Sequence, residues 1–152
     1  AAAREIVSVY NGKFPEKIEE IIRLKGIGPY TAAAIASFAF DFPAAVVDGN
    51  VIRVLSRLFG IDEAFDSPEG KKTFRMKAGE LLDKKNPSEF NQAIMEFGAL
   101  QCVPANPDCP ECIFSTLCFA NRKGLQNTLP VRKEKKTVKT RSSTTNSRQR
   151  KN

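Results

Sequence analysis

The chain has 152 residues, enough for one domain or two small lobes, and its 41% apolar content supports a packed core over a disordered chain. It contains no His and no Trp, so no imidazole can serve as general base, proton shuttle or metal ligand. The net charge of +7 is unevenly spread: 11 of the 24 Lys and Arg lie between Asn121 and Asn152, beside a single acidic residue. The first 120 residues hold 13 basic and 16 acidic side chains, so the body is mildly acidic and any contact with a polyanion must be local.

The longest apolar stretch, Ala32 to Phe40, is interrupted by Ser37 and falls short of the roughly 20 residues that cross a bilayer. No membrane association is expected. Four cysteines fall within 17 positions, Cys102 to Cys118, and with no secretion signal they read as metal ligands in a reducing, cytoplasmic compartment. Nothing in the sequence looks eukaryotic, and a bacterial source is expected. The opening Ala1-Ala2-Ala3-Arg4-Glu5-Ile6-Val7 reads as the interior of a helix, which suggests a piece of a longer chain.

Taken in order, the periodic segments are helical, and no strand pattern or internal repeat appears. Residues 1–10 form a short apolar-faced helix ended by Asn11-Gly12. Pro15 opens a second, with Ile18, Ile21, Ile22 and Leu24 on its buried side. Gly26-Ile27-Gly28 breaks it, and Pro29 starts a third that runs from Tyr30 to about Phe38, rich in small alanines. A loop containing Pro43 leads to Val46-Val47-Asp48-Gly49. Asn50 to Phe59 is a fourth helix, stopped by Gly60, and Glu69 to Leu82 a fifth. A sixth runs from near Pro87 to about Leu100, with Phe90, Ala93, Ile94, Phe97 and Leu100 at helical spacing. A cysteine loop and a short helix follow. After Gly124 the chain turns polar and basic, and from Ser142 it is low-complexity and expected to be disordered.

Three motifs carry chemistry. In the stretch Leu24 to Ala32, a Gly-apolar-Gly turn separates two helices. The glycines allow backbone angles closed to other residues, and Ile27 can tuck between the helices. The free N–H groups at the start of the next helix then face outward, where the dipole favours an anion. The plain alternative is a helix corner, since glycine commonly ends helices. Asp48-Gly49-Asn50, 18 residues after Tyr30, reads either as a helix N-cap or as a carboxylate placed beside a sugar. Cys102, Cys109, Cys112 and Cys118 form C-x6-C-x2-C-x5-C, a donor set suited to zinc or to an iron–sulfur cluster.

The hairpin, Val47-Asp48-Gly49-Asn50-Val51 and the four cysteines together resemble the helix-hairpin-helix glycosylases of DNA base-excision repair, over residues 1 to about 140. Tyr30 stands where the bifunctional endonuclease III-like members carry a Lys, and tyrosine cannot form a Schiff base. Together with the stretches Gly28-Pro29-Tyr30-Thr31-Ala32 and Phe90-Asn91-Gln92-Ala93-Ile94-Met95-Glu96-Phe97-Gly98, this makes the chain most similar to MutY-type adenine DNA glycosylases. The resemblance implies an all-α fold of two helical lobes with a C-terminal [4Fe–4S] loop held by the four cysteines. It implies duplex DNA as partner, with adenine mispaired with 8-oxoguanine or guanine as substrate, and a monomeric protein. It assigns DNA contact to Gly26, Ile27, Gly28, Tyr30 and Thr31, and catalysis to Asp48.

The expected division is a hairpin lobe at 1–45, a cluster lobe at 46–124, and a basic linker and tail at 125–152. Three departures stand out. The family's general acid, a Glu on an early helix, has no counterpart here. Residues 103–108 hold no basic side chain where relatives often place them. The stretch after the linker is not expected to hold the family's 8-oxoguanine-reading domain. The rival expectations are an endonuclease III-like lyase, which Tyr30 opposes, and a noncatalytic DNA-binding fragment with a metal loop.

Overall fold

The computed structural model describes residues 1–133, and among them every regular element is a helix. The elements are α1 (Ala2–Tyr10), α2 (Ile18–Ile21), α3 (Pro29–Phe40), α4 (Gly49–Phe59), α5 (Pro68–Leu81), α6 (Pro87–Leu100) and α7 (Phe119–Lys123). Their ends follow local chemistry. Pro29, Pro68 and Pro87 open α3, α5 and α6, where a missing N–H leaves no bond unmade. Ser67 caps α5 by accepting a hydrogen bond from Gly70 N. Gly60 closes α4 in the left-handed region at φ 71°, packed against the Phe119 ring.

The second helix differs from its expectation. It is a single turn, Ile18–Ile21, followed by tight turns to Leu24. Ile21 and Leu24 are buried as expected, but Ile22 points outward and is 42% exposed. The run is too short to nucleate a longer helix alone, so packing of two apolar residues decides it.

Buried apolar residues gather in two clusters. Ile21, Ala32 and Ala36 join α2 to α3, with Ile18, Ile27 and Ile35 packed around them. The small alanines let the two segments approach closely. Val51, Leu55, Phe74 and Ala78 join α4 to α5, with Ile94 and Met95 of α6 alongside. Leu55 is fully buried, and such burial contributes about 1.5–3 kcal/mol relative to exposure.

The sixth helix buries its apolar stripe only in part, with Ile94 packed against the α4–α5 cluster. Its buried residues are Pro87, Asn91 and Gly98. Phe90, Ala93, Ile94 and Phe97 line an open apolar groove shared with Leu58, Phe59 and Ile113, and Leu100 is exposed. Asn91 replaces apolar packing with three hydrogen bonds. It donates to Ser37 Oγ at 2.9 Å and Ala44 O at 2.8 Å, and accepts from Val46 N at 3.0 Å. It therefore ties α6 to the end of α3 and to the loop that leads into α4.

The segment after α7 folds back on the body. Phe65 N donates to Val131 O at 3.0 Å, and Lys133 N donates to the Asp66 carboxylate at 2.8 Å. The basic tail expected to be disordered lies outside the described residues from position 134 on.

Gly98 sets the spacing between α4 and α6. A Cβ there would lie 2.8 Å from Asn50 Cβ and 3.0 Å from Asn50 O. Gly98→Ala should therefore destabilise the fold by about 1–3 kcal/mol, the usual range for overpacking. The midpoint of urea unfolding, followed by helical circular dichroism, measures it.

Candidate DNA-binding and glycosidic site

The hairpin between α2 and α3 has the shape its sequence indicated, with one correction. Gly26 adopts φ 93°, which favours glycine, but Gly28 is an extended N-cap at φ −92° that any residue can adopt. Ile27 is half-buried against the α2–α3 cluster. Tyr30 and Thr31 lie exposed on the first turn of α3. Among the described residues, no protein group accepts from the Gly28, Tyr30 or Thr31 N–H. These donors open to solvent at the positive end of a helix of 12 residues.

Asp48 is the N-cap of α4, and both of its oxygens are held. Oδ1 accepts from Val51 N at 2.8 Å, and Oδ2 accepts from Asn50 Nδ2 at 3.0 Å. The capping role that sequence reading set against catalysis is thus present. It also fixes the direction of a half-buried carboxylate. Tyr30 lines a depression together with Val47 and Ile52, the residues that flank Asp48 on the loop and on α4.

A hydrogen-bonded chain runs from Asp48 to the cysteine loop. Asn50 Oδ1 accepts from Arg53 Nη2 at 2.9 Å. Arg53 also donates to Gly98 O and to Cys102 O, both at 2.6 Å. One turn on, Arg57 Nη1 donates to Val103 O at 2.7 Å and lies 3.5 Å from Cys102 Sγ. Its Nη2 donates to Pro104 O at 2.9 Å, and its Nε to Leu129 O at 3.2 Å. Both arginines are buried, Arg57 to 3% exposure. Burial pushes the Arg53 guanidinium below the usual arginine value. Cys102 opposes that shift, Arg57 adds to it, and Asp48 opposes it.

Sequence reading missed Asn50, Arg53, Arg57 and Asn91 as parts of the site. The available signal was two arginines four apart, inside a helix whose neighbours Val51, Val54 and Leu55 belong to the core.

All four cysteines line one small cavity, walled by Val54, Arg57, Phe97 and Phe114. Burial pushes the Cys109 thiol up, and Cys118, Cys102 and Cys112 add to this, with Arg57 opposing. Thiolates gathered this way need a cationic centre to stay deprotonated. Among the described residues, no three His, Cys, Asp or Glu side chains converge tightly enough for a single metal ion. Four thiols around a shared cavity are a donor set suited to zinc or to an iron–sulfur cluster.

Residues 10–38 match the helix-hairpin-helix motif family. Adenine DNA glycosylase of Arabidopsis thaliana is 42% identical over 78% of this chain, and that of Homo sapiens 41% identical over 84%. Adenine DNA glycosylase of Buchnera aphidicola (Acyrthosiphon pisum) is 33% identical over 90%. Over most of its length the chain is thus similar in sequence to adenine DNA glycosylases, and it carries a helix-hairpin-helix motif.

It spans 19%, 23% and 39% of the lengths of those three glycosylases. Among solved structures, a thermostable thymine-DNA glycosylase superposes with a TM-score of 0.72 at 34% identity. That match covers 79% of this chain and 55% of the other. An endonuclease III–DNA complex gives 0.68 at 28% identity, covering 81% and 56%. The all-α glycosylase fold is thereby established. Glycosylases from a plant, an animal and a bacterium match alike, so the expected bacterial source finds no support in them. Among the described residues, no helix is long and apolar enough to cross a membrane.

Replacing Arg57 by Met should leave the carbonyls of Val103, Pro104 and Leu129 without a donor. A loss of about 3 kcal/mol or more is expected from such charge-assisted bonds. Arg57→Lys should recover little, since one ammonium cannot span those three acceptors. Thermal unfolding of the two variants tests this.

Proposed function

We propose that this chain is the part of an adenine DNA glycosylase that grips duplex DNA and presents the carboxylate for N-glycosidic bond hydrolysis. The substrate is adenine mispaired with 8-oxoguanine or guanine. The observation that carries this reading is the Asp48 carboxylate, fixed at both oxygens at the head of α4 in a chain matching adenine glycosylases.

In this reading the hairpin holds a backbone phosphate at the N–H groups of Gly28, Tyr30 and Thr31, with Gly26 and Ile27 shaping the turn. A body with more acidic than basic side chains can then hold DNA without a large basic face. The adenine is flipped out of the duplex, which costs least at a mispair. As the glycosidic bond breaks, its electron pair goes to the adenine, which takes up a proton. Positive charge grows at the anomeric carbon, and Asp48 stabilises it and orients the attacking water. The water loses a proton as its oxygen bonds that carbon. No carboxyl of this chain is assigned the protonating role. Tyr30 offers no amine, so hydrolysis without strand cleavage is expected.

The four cysteines Cys102, Cys109, Cys112 and Cys118 would hold a [4Fe–4S] cluster, supported by their shared cavity and by their spacing. Such a cluster supplies cross-linking to a loop with little apolar surface of its own. The two buried clusters fit a division into a hairpin lobe ending near residue 45 and a cluster lobe after it. Four free cysteines suit a reducing compartment, and a monomer acting on DNA there is the simplest arrangement.

Two measurements test these readings. Asp48→Asn, made in the full-length protein, keeps an equally good N-cap. It should leave the unfolding midpoint nearly unchanged and abolish adenine excision from an A:8-oxoguanine duplex. Excision at the unsubstituted rate would remove Asp48 from the mechanism. Protein purified without oxygen should contain about four iron and four acid-labile sulfide per chain. Stoichiometric zinc without sulfide would replace the cluster with a four-cysteine zinc site.

A further inference from the structure

We propose that Lys71 and Arg75, on the exposed face of α5, form a second phosphate-binding site for the DNA strand held by the hairpin. The proposal rests on the DNA-binding reading above and adds residues from a different element.

Lys71 and Arg75 line the same open depression as Pro29 and Tyr30 of the hairpin, a hollow of about 1310 Å³ of empty space. The first turn of α3 and the exposed face of α5, far apart in sequence, therefore share one mouth. The two side chains are spaced i, i+4, which puts them side by side on the helix surface.

Their charges are unspent. Among the described residues, neither lies within ion-pair distance of a carboxylate, whereas Lys77 of the same helix is paired with Glu80 at 2.8 Å. Lys77 also sits over the Phe59 ring, 4.8 Å from its centroid. Arg75 Nε donates to Lys71 O at 3.0 Å, which steadies the guanidinium and leaves both Nη groups without a protein acceptor. A planar pair of N–H donors on a steadied guanidinium suits a phosphodiester.

The one carboxylate in the depression, Asp66, is already engaged. It accepts from Lys133 N at 2.8 Å and lies 3.6 Å from Arg132 Nε. The backbone bond from Lys133 is the main cause holding its carboxyl below the usual aspartate range. Among the described residues that line the depression, Asp66 is the one carboxylate, and Arg132 lies against it. On a body whose first 120 residues carry more acidic than basic side chains, such local cations weigh heavily. Contact with backbone phosphates also makes the site indifferent to base sequence.

The test is the salt dependence of binding to a fluorescein-labelled duplex of about 20 base pairs, read by anisotropy. It compares the unsubstituted chain, Lys71→Gln/Arg75→Gln, and the control Arg122→Gln/Lys123→Gln on exposed positions of α7. All three share the basic tail, so its contribution cancels. The α7 pair removes the same charge away from the depression. Two lost phosphate contacts should make the slope of log K against log salt shallower by about 1.8, at about 0.9 per contact. The change should be the same for mispaired and fully paired duplexes, and Lys71→Arg should keep the original slope. A slope change no larger than the control's overturns the proposal and leaves the hairpin reading standing. Absence of duplex binding by the unsubstituted chain overturns the DNA-binding reading and this proposal together.

Discussion

Two buried guanidiniums on α4 hold the cluster lobe in register. Arg53 and Arg57 reach the carbonyls of Gly98, Cys102, Val103, Pro104 and Leu129, which come from three separate stretches of chain. Those carbonyls sit at the end of α6, at the start of the cysteine loop and just before the fold-back segment. The bonds to Gly98 and Leu129 are buried, so without a donor those two carbonyls would be buried acceptors with no partner. An arginine's fan of fixed donors is suited to this task, and a lysine's single charge is not. The rest of the lobe is arranged around that constraint. Gly98 is bare so that α6 can close on Asn50, and Gly60 turns tightly so that Phe119 of α7 can cover the end of α4.

The same helix that organises the cysteines begins at Asp48. One end of α4 faces the loop carrying the carboxylate, and its middle faces the thiols. Asn50 bridges the two by donating to Asp48 and accepting from Arg53. From the other side, Asn91 pins the loop ahead of Asp48 through Val46 N and Ala44 O. The carboxylate itself is held by the Val51 N–H and the Asn50 amide, while Asn91 fixes the loop that precedes it, and none of these partners carries a charge.

Helix boundaries were legible where punctuation is local: proline at a first turn, Gly60 at a last turn, Gly26 in a positive-φ turn. The hairpin, the Asp-Gly-Asn turn and the cysteine spacing were legible because each lies within a short run of sequence. What was hidden depends on distant partners. Charged residues are usually on the surface, and nothing local in the sequence marks Arg53 and Arg57 as buried. The apolar spacing of α6 was real, but its stripe is buried only in part and lines an open groove, and the buried positions include Asn91 and Gly98. Burial of an asparagine follows from Ser37, Ala44 and Val46 being at hand to bond it, a fact no periodicity contains. Ile22 failed for a related reason: its segment is one turn long, so a helical face was never completed.

The arginine bonds also imply an order of assembly. The contacts from Arg53 and Arg57 to the cysteine loop and to Leu129 close intervals of 45 to 72 residues. Such distant closures come after local helices form, because chain entropy opposes them until α4 and α6 have met. During synthesis, α4 emerges with its two cations unpartnered, and the acceptors leave the ribosome only later. The four thiols are therefore gathered by long-range bonds from α4 to the cysteine loop and not by the local sequence around each cysteine.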